Sequence, residues 1–300
     1  MKNIFLIGAT GYIGEVFTQQ IYKNKELNCF QIPHWKLYKD SKEEGYFHDY
    51  EKLYELIDKF SPDLVINAAG YIGKPNVDAC EDNKDATYEG NVEFPTFLAK
   101  SCFLAGVPFA HVSSGCIYGG YKEDGSGYTE EEEPNFDFSN GSYYSGTKAL
   151  AENRIINTCD DFYIWRLRIP FDKFHSGRNY ISKMMTYDKL LDATNSMTHR
   201  YEFVDTCLDL WLNKEDYGIY NIVNTGSVTT RQVVKLMKKY LKLDKDFKFW
   251  KNDEEFYGFG AKAPRSNCVL DNSKLTRTGL KIRDTEEAII ESLKYWTELK

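Results

Sequence analysis

The chain has 300 residues, 42% of them hydrophobic, and a formal net charge of −7. That length suits one large domain or two lobes with a sizeable core. The negative charge argues against nucleic acid as a partner, and no apolar run approaches the roughly 20 residues that cross a bilayer. Seven cysteines lack regular spacing and no Cys-x-x-Cys occurs, so no zinc site, no other metal site and no redox dithiol is indicated. They read as small buried residues in a reducing, cytoplasmic compartment.

Lys2 to Ile7 is a short apolar run, as expected of a buried parallel strand. It is too short for a signal peptide and leads straight into Gly8-Ala9-Thr10-Gly11-Tyr12-Ile13-Gly14. A helix is expected from there to about Lys25, and a strand over Asn28 to Pro33. Tyr50 to Phe60 is predicted helical, with Leu53, Leu56, Ile57 and Phe60 on one face. Ser61-Pro62-Asp63 turns the chain into Leu64 to Asn67, a third strand. A helix over Asn91 to Leu104, a strand over Val107 to Val112, a helix over Tyr143 to Asn157 and a strand over Phe162 to Arg168 follow. Alternating strands and helices imply an α/β, Rossmann-type doubly wound parallel sheet.

After Pro170 the pattern loosens. Ile181 to Leu191, Gln232 to Leu241 and Thr285 to Leu299 read as helices, and Tyr217 to Val223 as a strand. Residues 1–170 are therefore expected to form the dinucleotide-binding domain. Residues 171–300 are expected to form a smaller C-terminal substrate-binding lobe, interleaved with the first.

Three glycines alone specify only a tight strand-to-helix turn. Gly8, Gly11 and Gly14 between a strand and a helix also present backbone N–H groups to a pyrophosphate, with Thr10, Tyr12 and Ile13 beside them. An acid about 20 residues further on would select NAD through its ribose 2′-OH. Here the stretch is Ile32-Pro33-His34-Trp35-Lys36. His34 and Lys36 suit a 2′-phosphate and hence NADP; a solvated surface charge is the plainer reading of Lys36. Asp49 is positioned to approach the adenine. Asn67-Ala68-Ala69 ends a strand where small residues permit close backbone approach.

Tyr144 and Lys148 are four residues apart, so on a helix they share a face, and an ammonium there lowers the phenol's pKa. Ser114 adds a hydroxyl able to polarise a carbonyl. Cys116, two residues later, is a structural cysteine on the plainer reading and a proton-exchanging group on the other.

Taken together, the loop, Asn67-Ala68-Ala69, Asn91, Ser113-Ser114 and Tyr144-x-x-x-Lys148 resemble the extended short-chain dehydrogenase/reductases over essentially the whole chain. Gly73 to Asp78, Gly115-Cys116-Ile117-Tyr118, Glu133 to Phe136, Arg178 to Lys183, Asn195 to Thr198 and Ala263-Pro264-Arg265-Ser266-Asn267 narrow the resemblance. They look like the dTDP-4-dehydrorhamnose reductase branch, and within it the plant bifunctional epimerase-reductases of rhamnose synthesis. The resemblance implies conversion of UDP-4-keto-6-deoxy-glucose to UDP-L-rhamnose with NADPH. It implies Tyr144 and Lys148 as both catalytic and cofactor-binding, with Pro170 added to the cofactor set. Ser114 is catalytic and meets substrate. Cys116 corresponds to the catalytic cysteine of the related GDP-fucose synthases. Their partner histidine is missing here; Lys183 is the nearest candidate and Tyr180 a second, while a surface helix charge is the plainer reading of Lys183. Arg265 is expected on the substrate diphosphate, with Asn179, Asn195, Thr198 and Asn267 around the sugar nucleotide. Dimers are common in the superfamily, so a homodimer stays open.

Three rival readings differ in observable ways. A reductase without epimerase activity needs no Cys116. A 4,6-dehydratase carries Asp-Glu where Gly115-Cys116 stands. A non-catalytic NADP-binding regulatory subunit typically loses the Tyr/Lys pair.

Overall fold

The structure is a computed structural model that describes residues 1–32, 50–74 and 76–297. His34, Lys36 and Asp49, expected near the cofactor, lie outside the described residues, as do Pro33, Pro75 and the predicted helix end at Leu299.

Six strands form the main sheet. They are β1 (Lys2–Ile7), β2 (Leu27–Ile32), β3 (Leu64–Asn67), β4 (Phe109–Ser114), β5 (Phe162–Leu167) and β6 (Gly218–Asn221). Their order is β6-β5-β4-β3-β1-β2, and β1 pairs in parallel with both β2 and β3, as β3 does with β4. The chain thus moves outward from β1 to β2, then returns to β3 on the other side. That reversal is the switch point where parallel α/β sheets bind ligands beyond the strands' carboxyl ends. Register puts Ile7 opposite Asn67 and Asn67 opposite His111. The ends of β1 and β3 therefore lie level with the middle of β4, which runs on to Ser114. The predicted α/β parallel sheet is observed.

Helices α1 (Gly14–Lys23), α2 (Tyr50–Phe60), α3 (Phe94–Ala105) and α4 (Tyr143–Ile156) connect these strands. Of the apolar face read on α2, Leu53 and Ile57 are buried with Phe5, Val65, Leu98 and Phe109 and Leu56 packs beside them, while Phe60 at the helix end is exposed. The helix predicted from Asn91 starts differently. Glu89–Glu93 winds as a π-helical turn and the α-helix begins at Phe94.

The chain divides into two compact units. One holds Met1–Ser114, Asp137–Trp165 and Lys214–Ile219; the other holds Gly115–Phe136, Arg166–Asn213 and the chain from Tyr220 onward. The second has its own core, with Phe171, Ile181, Met184, Val233, Met237 and Ile289 buried together. Its helices include α5 (Tyr180–Thr186), α6 (Arg200–Leu212), α7 (Thr230–Leu241) and α8 (Thr285–Lys294). A capping box starts α7, where Gln232 N–H donates to the Thr229 hydroxyl at 3.1 Å and Thr229 N–H to the Gln232 side chain at 2.6 Å. The helix predicted over Ile181 to Leu191 stops at Thr186, because Lys189–Leu190 pairs in parallel with Lys248–Phe249. Among the described residues no helix is long and apolar enough to cross a membrane.

Candidate active site

The glycine loop is built for a close neighbour. Gly8 has φ +81°, and a Cβ there would sit 2.5 Å from Ala69 N, a contact no side chain tolerates. A Cβ on Gly14 would collide with the Gly8 carbonyl. Gly11 N–H donates to Gly8 O at 2.9 Å, and no side chain caps the start of α1. Glu15 N–H donates to Gly11 O at 2.9 Å and Val16 N–H to Ile13 O at 3.0 Å, so the loop's own carbonyls hold the start of α1, and its helix N-terminus stays a favourable place for an anion. Thr10 is exposed, and Tyr12 and Ile13 half-buried, on the same loop. The backbone of Ala68 and Ala69 forms the loop's wall. These features fit a dinucleotide.

The start of α4 is fixed from two sides. Ser142 Oγ accepts from Ser145 N–H at 3.1 Å, and Glu81 accepts from Tyr143 N–H at 2.7 Å. Both satisfy donors that the first helical turn would otherwise leave without partners. Asn91 clamps the same region: its carbonyl accepts from Tyr71 N–H at 2.7 Å, and its amide donates to Tyr71 O at 2.9 Å and to Thr147 Oγ1 at 3.3 Å. Tyr144 is half-buried on the first turn and Lys148 is buried one turn later. Lys148 Nζ donates to Val112 O at 3.3 Å and lies 2.9 Å from His111 Nε2. His111 Nδ1 lies 3.1 Å from Asn67 Nδ2. Burial, and then the charge of Lys148, push the imidazole well below its ordinary pKa.

Strand alternation separates the two serines at the end of β4. Ser113 is buried and its hydroxyl donates to Glu152 on α4. Ser114, the next residue, is half-buried. Gly115–Ile117 then makes a 3₁₀ turn that buries Cys116.

Within the second unit, Asn195 Nδ2 donates to Asn267 Oδ1 at 3.2 Å. Asn195 Oδ1 accepts from Arg168 Nη2 at 2.7 Å and from Cys268 N–H at 3.0 Å. Arg168 also donates to Ser266 O, and its backbone N–H donates to Thr198 Oγ1 at 2.9 Å. Asn195 thus holds the buried Arg168 guanidinium, Asn267 backs Asn195, and Thr198 holds the Arg168 backbone. Arg265 stands at the edge of this group, its backbone N–H donating to Tyr257 Oη at 3.1 Å. Pro170 pairs with Thr198 across two short strands. Asn179 is elsewhere and fully buried. It donates to Asp172 and Phe174 carbonyls, each at 2.9 Å, and caps α5 by accepting from Ile181 N–H at 3.0 Å. Its polar atoms hold that turn. Lys183 lies on α5, half-buried, its pKa lowered by burial and then by Arg178.

Residues 1–297 match the family described as RmlD substrate binding domain. The chain belongs to that family. A bifunctional dTDP-4-dehydrorhamnose 3,5-epimerase/dTDP-4-dehydrorhamnose reductase of Arabidopsis thaliana is 33% identical over 252 residues, which cover 82% of this chain and 81% of that one. The crystal structure of the L780 UDP-rhamnose synthase of Acanthamoeba polyphaga mimivirus superposes with a TM-score of 0.86 at 22% identity, covering 98% of this chain and 99% of that one. A dTDP-4-dehydrorhamnose reductase of Bacillus anthracis, solved with NADP, gives a TM-score of 0.79 at 19% identity and 99% coverage of both chains. The RmlD match places the chain in the rhamnose-pathway branch of nucleotide-sugar reductases and epimerases.

Two residues of interest escaped the sequence reading. Arg168 sits in Trp165-Arg166-Leu167-Arg168, where it reads as a strand's last charge. His111 sits in an apolar run, where it reads as a core residue. Neither run carries a local signal; both acquire meaning only from partners on distant segments.

Proposed function

We propose that the chain is an NADPH-dependent 3,5-epimerase/4-ketoreductase that converts UDP-4-keto-6-deoxy-glucose to UDP-L-rhamnose. The observation that carries this reading is the tethering of Lys148 to Val112 O on the strand that ends at Ser114. One helix turn and one strand end thereby hold Tyr144, Lys148 and Ser114 on rigid elements. Support for the epimerase half comes from Gly115-Cys116 at the positions where a dehydratase carries Asp-Glu.

The protons on carbons 3 and 5 are acidic because both carbons flank the carbon 4 ketone. Losing either leaves an enolate, whose oxygen needs donors already in place. Ser114 and Tyr144 supply them. Cys116 and Lys183 exchange the carbon-bound protons; a lysine whose pKa is depressed by burial suits that task. NADPH, when bound on the glycine loop, supplies the hydride that reduces carbon 4. Tyr144 gives its proton to the carbon 4 oxygen. Arg265 and Arg168 offer guanidinium groups to the diphosphate, with Asn195 and Asn267 orienting Arg168 and the sugar nucleotide.

The test is turnover of UDP-4-keto-6-deoxy-glucose in heavy water. Deuterium at carbons 3 and 5 with matching NADPH oxidation is expected; reduction without deuterium would leave a reductase alone. Better use of the dTDP sugar would replace the uridine assignment. Cys116→Ala should keep NADPH binding and lose deuterium incorporation by ~10²-fold or more. Unchanged exchange would remove Cys116 from the reaction.

A further inference from the structure

Ser266 is held by both of its oxygens. Its carbonyl accepts from Arg168 Nη2, and its hydroxyl donates to Tyr118 O at 2.6 Å. The first bond reaches the buried guanidinium, the second the end of the turn that buries Cys116. That turn is closed by Tyr118 N–H, which donates to Gly115 O at 3.1 Å. Gly115 O accepts a second time, from the Cys268 thiol at 3.1 Å. Both ends of the turn are therefore tied to the segment that starts at Ser266. The pairing continues beyond it: Gly120 N–H donates to Asn267 O at 2.6 Å, and Val269 N–H to Gly120 O at 3.1 Å. The two segments also touch closely, since a Cβ on Gly115 would lie 2.5 Å from Leu270 Cδ1.

Arg168 holds the other flank of the same segment. Its Nε and Nη2 donate to Asn195 Oδ1 at 3.2 Å and 2.7 Å. Asn195 in turn accepts from Cys268 N–H at 3.0 Å and donates to Asn267 Oδ1 at 3.2 Å. Arg168 is 9% exposed, and among the described residues no carboxylate pairs with it. A buried cation in that state suits an anion that arrives from outside.

We infer that Ser266 is a positioning residue that fixes the distance between the Arg168 guanidinium and the turn bearing Cys116. Carbonyl and hydroxyl of one residue span the two, so the link has little slack. Its catalytic consequence rests on the proposed function, in which Arg168 meets the diphosphate and Cys116 exchanges protons on the sugar. A sugar nucleotide anchored at one end reacts at the other only if the thiol stands at the matching distance. Misplacement by about 1 Å can cost ~10²-fold in rate.

The test variant is Ser266→Ala, which keeps the carbonyl on Arg168 and removes the hydroxyl from Tyr118 O; Ser266→Thr restores the hydroxyl. The first measurement needs no substrate. The folded full chain is alkylated with iodoacetamide, and the Cys116 peptide is followed by mass spectrometry. Ser266→Ala should speed alkylation of Cys116 about fivefold, the shift in local opening that the loss of one net hydrogen bond gives. Ser266→Thr should return the wild-type rate. Cys268→Ala, which removes the thiol's bond to Gly115 O instead, should also speed it. The second measurement is deuterium incorporation at saturating UDP-4-keto-6-deoxy-glucose, with UDP affinity measured by calorimetry. Ser266→Ala should lower exchange by ~10-fold or more and leave UDP affinity within about threefold; a residue that only held the fold would weaken both. The inference is overturned by a Cys116 alkylation rate that Ser266→Ala leaves unchanged. It is overturned equally by exchange that survives Ser266→Ala while Cys116→Ala abolishes it. Exchange that survives Cys116→Ala sinks the proposed epimerase chemistry alone, and the alkylation rates then decide the inference.

Discussion

Tyr144→Phe is expected to lower the rate of 4-keto reduction by ~10²–10⁴-fold, the range that a positioned proton donor contributes. At the middle of that range the barrier rises by about 4 kcal/mol. The change removes one oxygen and leaves the ring, so the caps from Ser142 and Glu81 and the clamp from Asn91 should hold α4 as before. NADPH affinity should fall little, because the glycine cradle lies on other elements. Epimerisation should fall too, since the same phenol is assigned to the enolate oxygen. Single-turnover absorbance of NADPH gives the first effect and deuterium incorporation the second. A variant that reduces within about threefold of the wild type would remove Tyr144 from the chemistry. One that loses reduction but keeps full deuterium exchange would restrict Tyr144 to the hydride step and leave Ser114 as the enolate donor.

Where local pattern decided the structure, the sequence could be read closely. Tyr50 to Phe60 and Leu64 to Asn67 have the predicted ends, because an amphipathic face, a proline-containing turn and an apolar run closed by an asparagine are each complete within a few residues. The start of the helix predicted from Asn91 was not legible. A π turn buries Gly90, Asn91 and Val92 with a pitch that a 3.6-residue reading cannot see. Two-residue strands such as Lys189–Leu190 have no period at all, and only their pairing with Lys248–Phe249 makes them strands.

The candidate site divides in the same way. Tyr144, Lys148 and the glycines announce themselves by spacing within one element. His111 and Arg168 draw their meaning from residues far along the chain, His111 from Asn67 and Lys148 and Arg168 from Asn195 and Ser266. Asn179 errs the other way. Its motif suggests a ligand, yet its amide and carbonyl are committed to Asp172, Phe174 and Ile181.

That turn around Asn179 carries the largest stability effect expected in the second unit. Asp172 is fully buried, and its Oδ2 accepts from Arg200 Nη1 at 2.6 Å. Its Oδ1 accepts from Phe174 N–H at 2.9 Å and from Asn179 Nδ2 at 3.0 Å. Burial pushes the carboxyl's pKa up, and Arg200 and these bonds pull against it. Such a pair adds little over apolar residues of equal volume, but breaking it is costly, since one charge stays buried without the other. Asp172→Ala should therefore cost about 3–5 kcal/mol, with Arg200 retained at 4% exposure. Arg200→Met in the Asp172→Ala background should recover part of that loss and not all of it. The recovered part is the cost of the uncompensated guanidinium; the remainder is the lost acceptor for Phe174 and Asn179, which orders the entry to the helix bearing Lys183. Urea unfolding at neutral pH measures each variant. A loss below about 1 kcal/mol for Asp172→Ala, within the range of exposed ion pairs, would mean that water reaches Arg200 and that the turn is held by Asn179 alone.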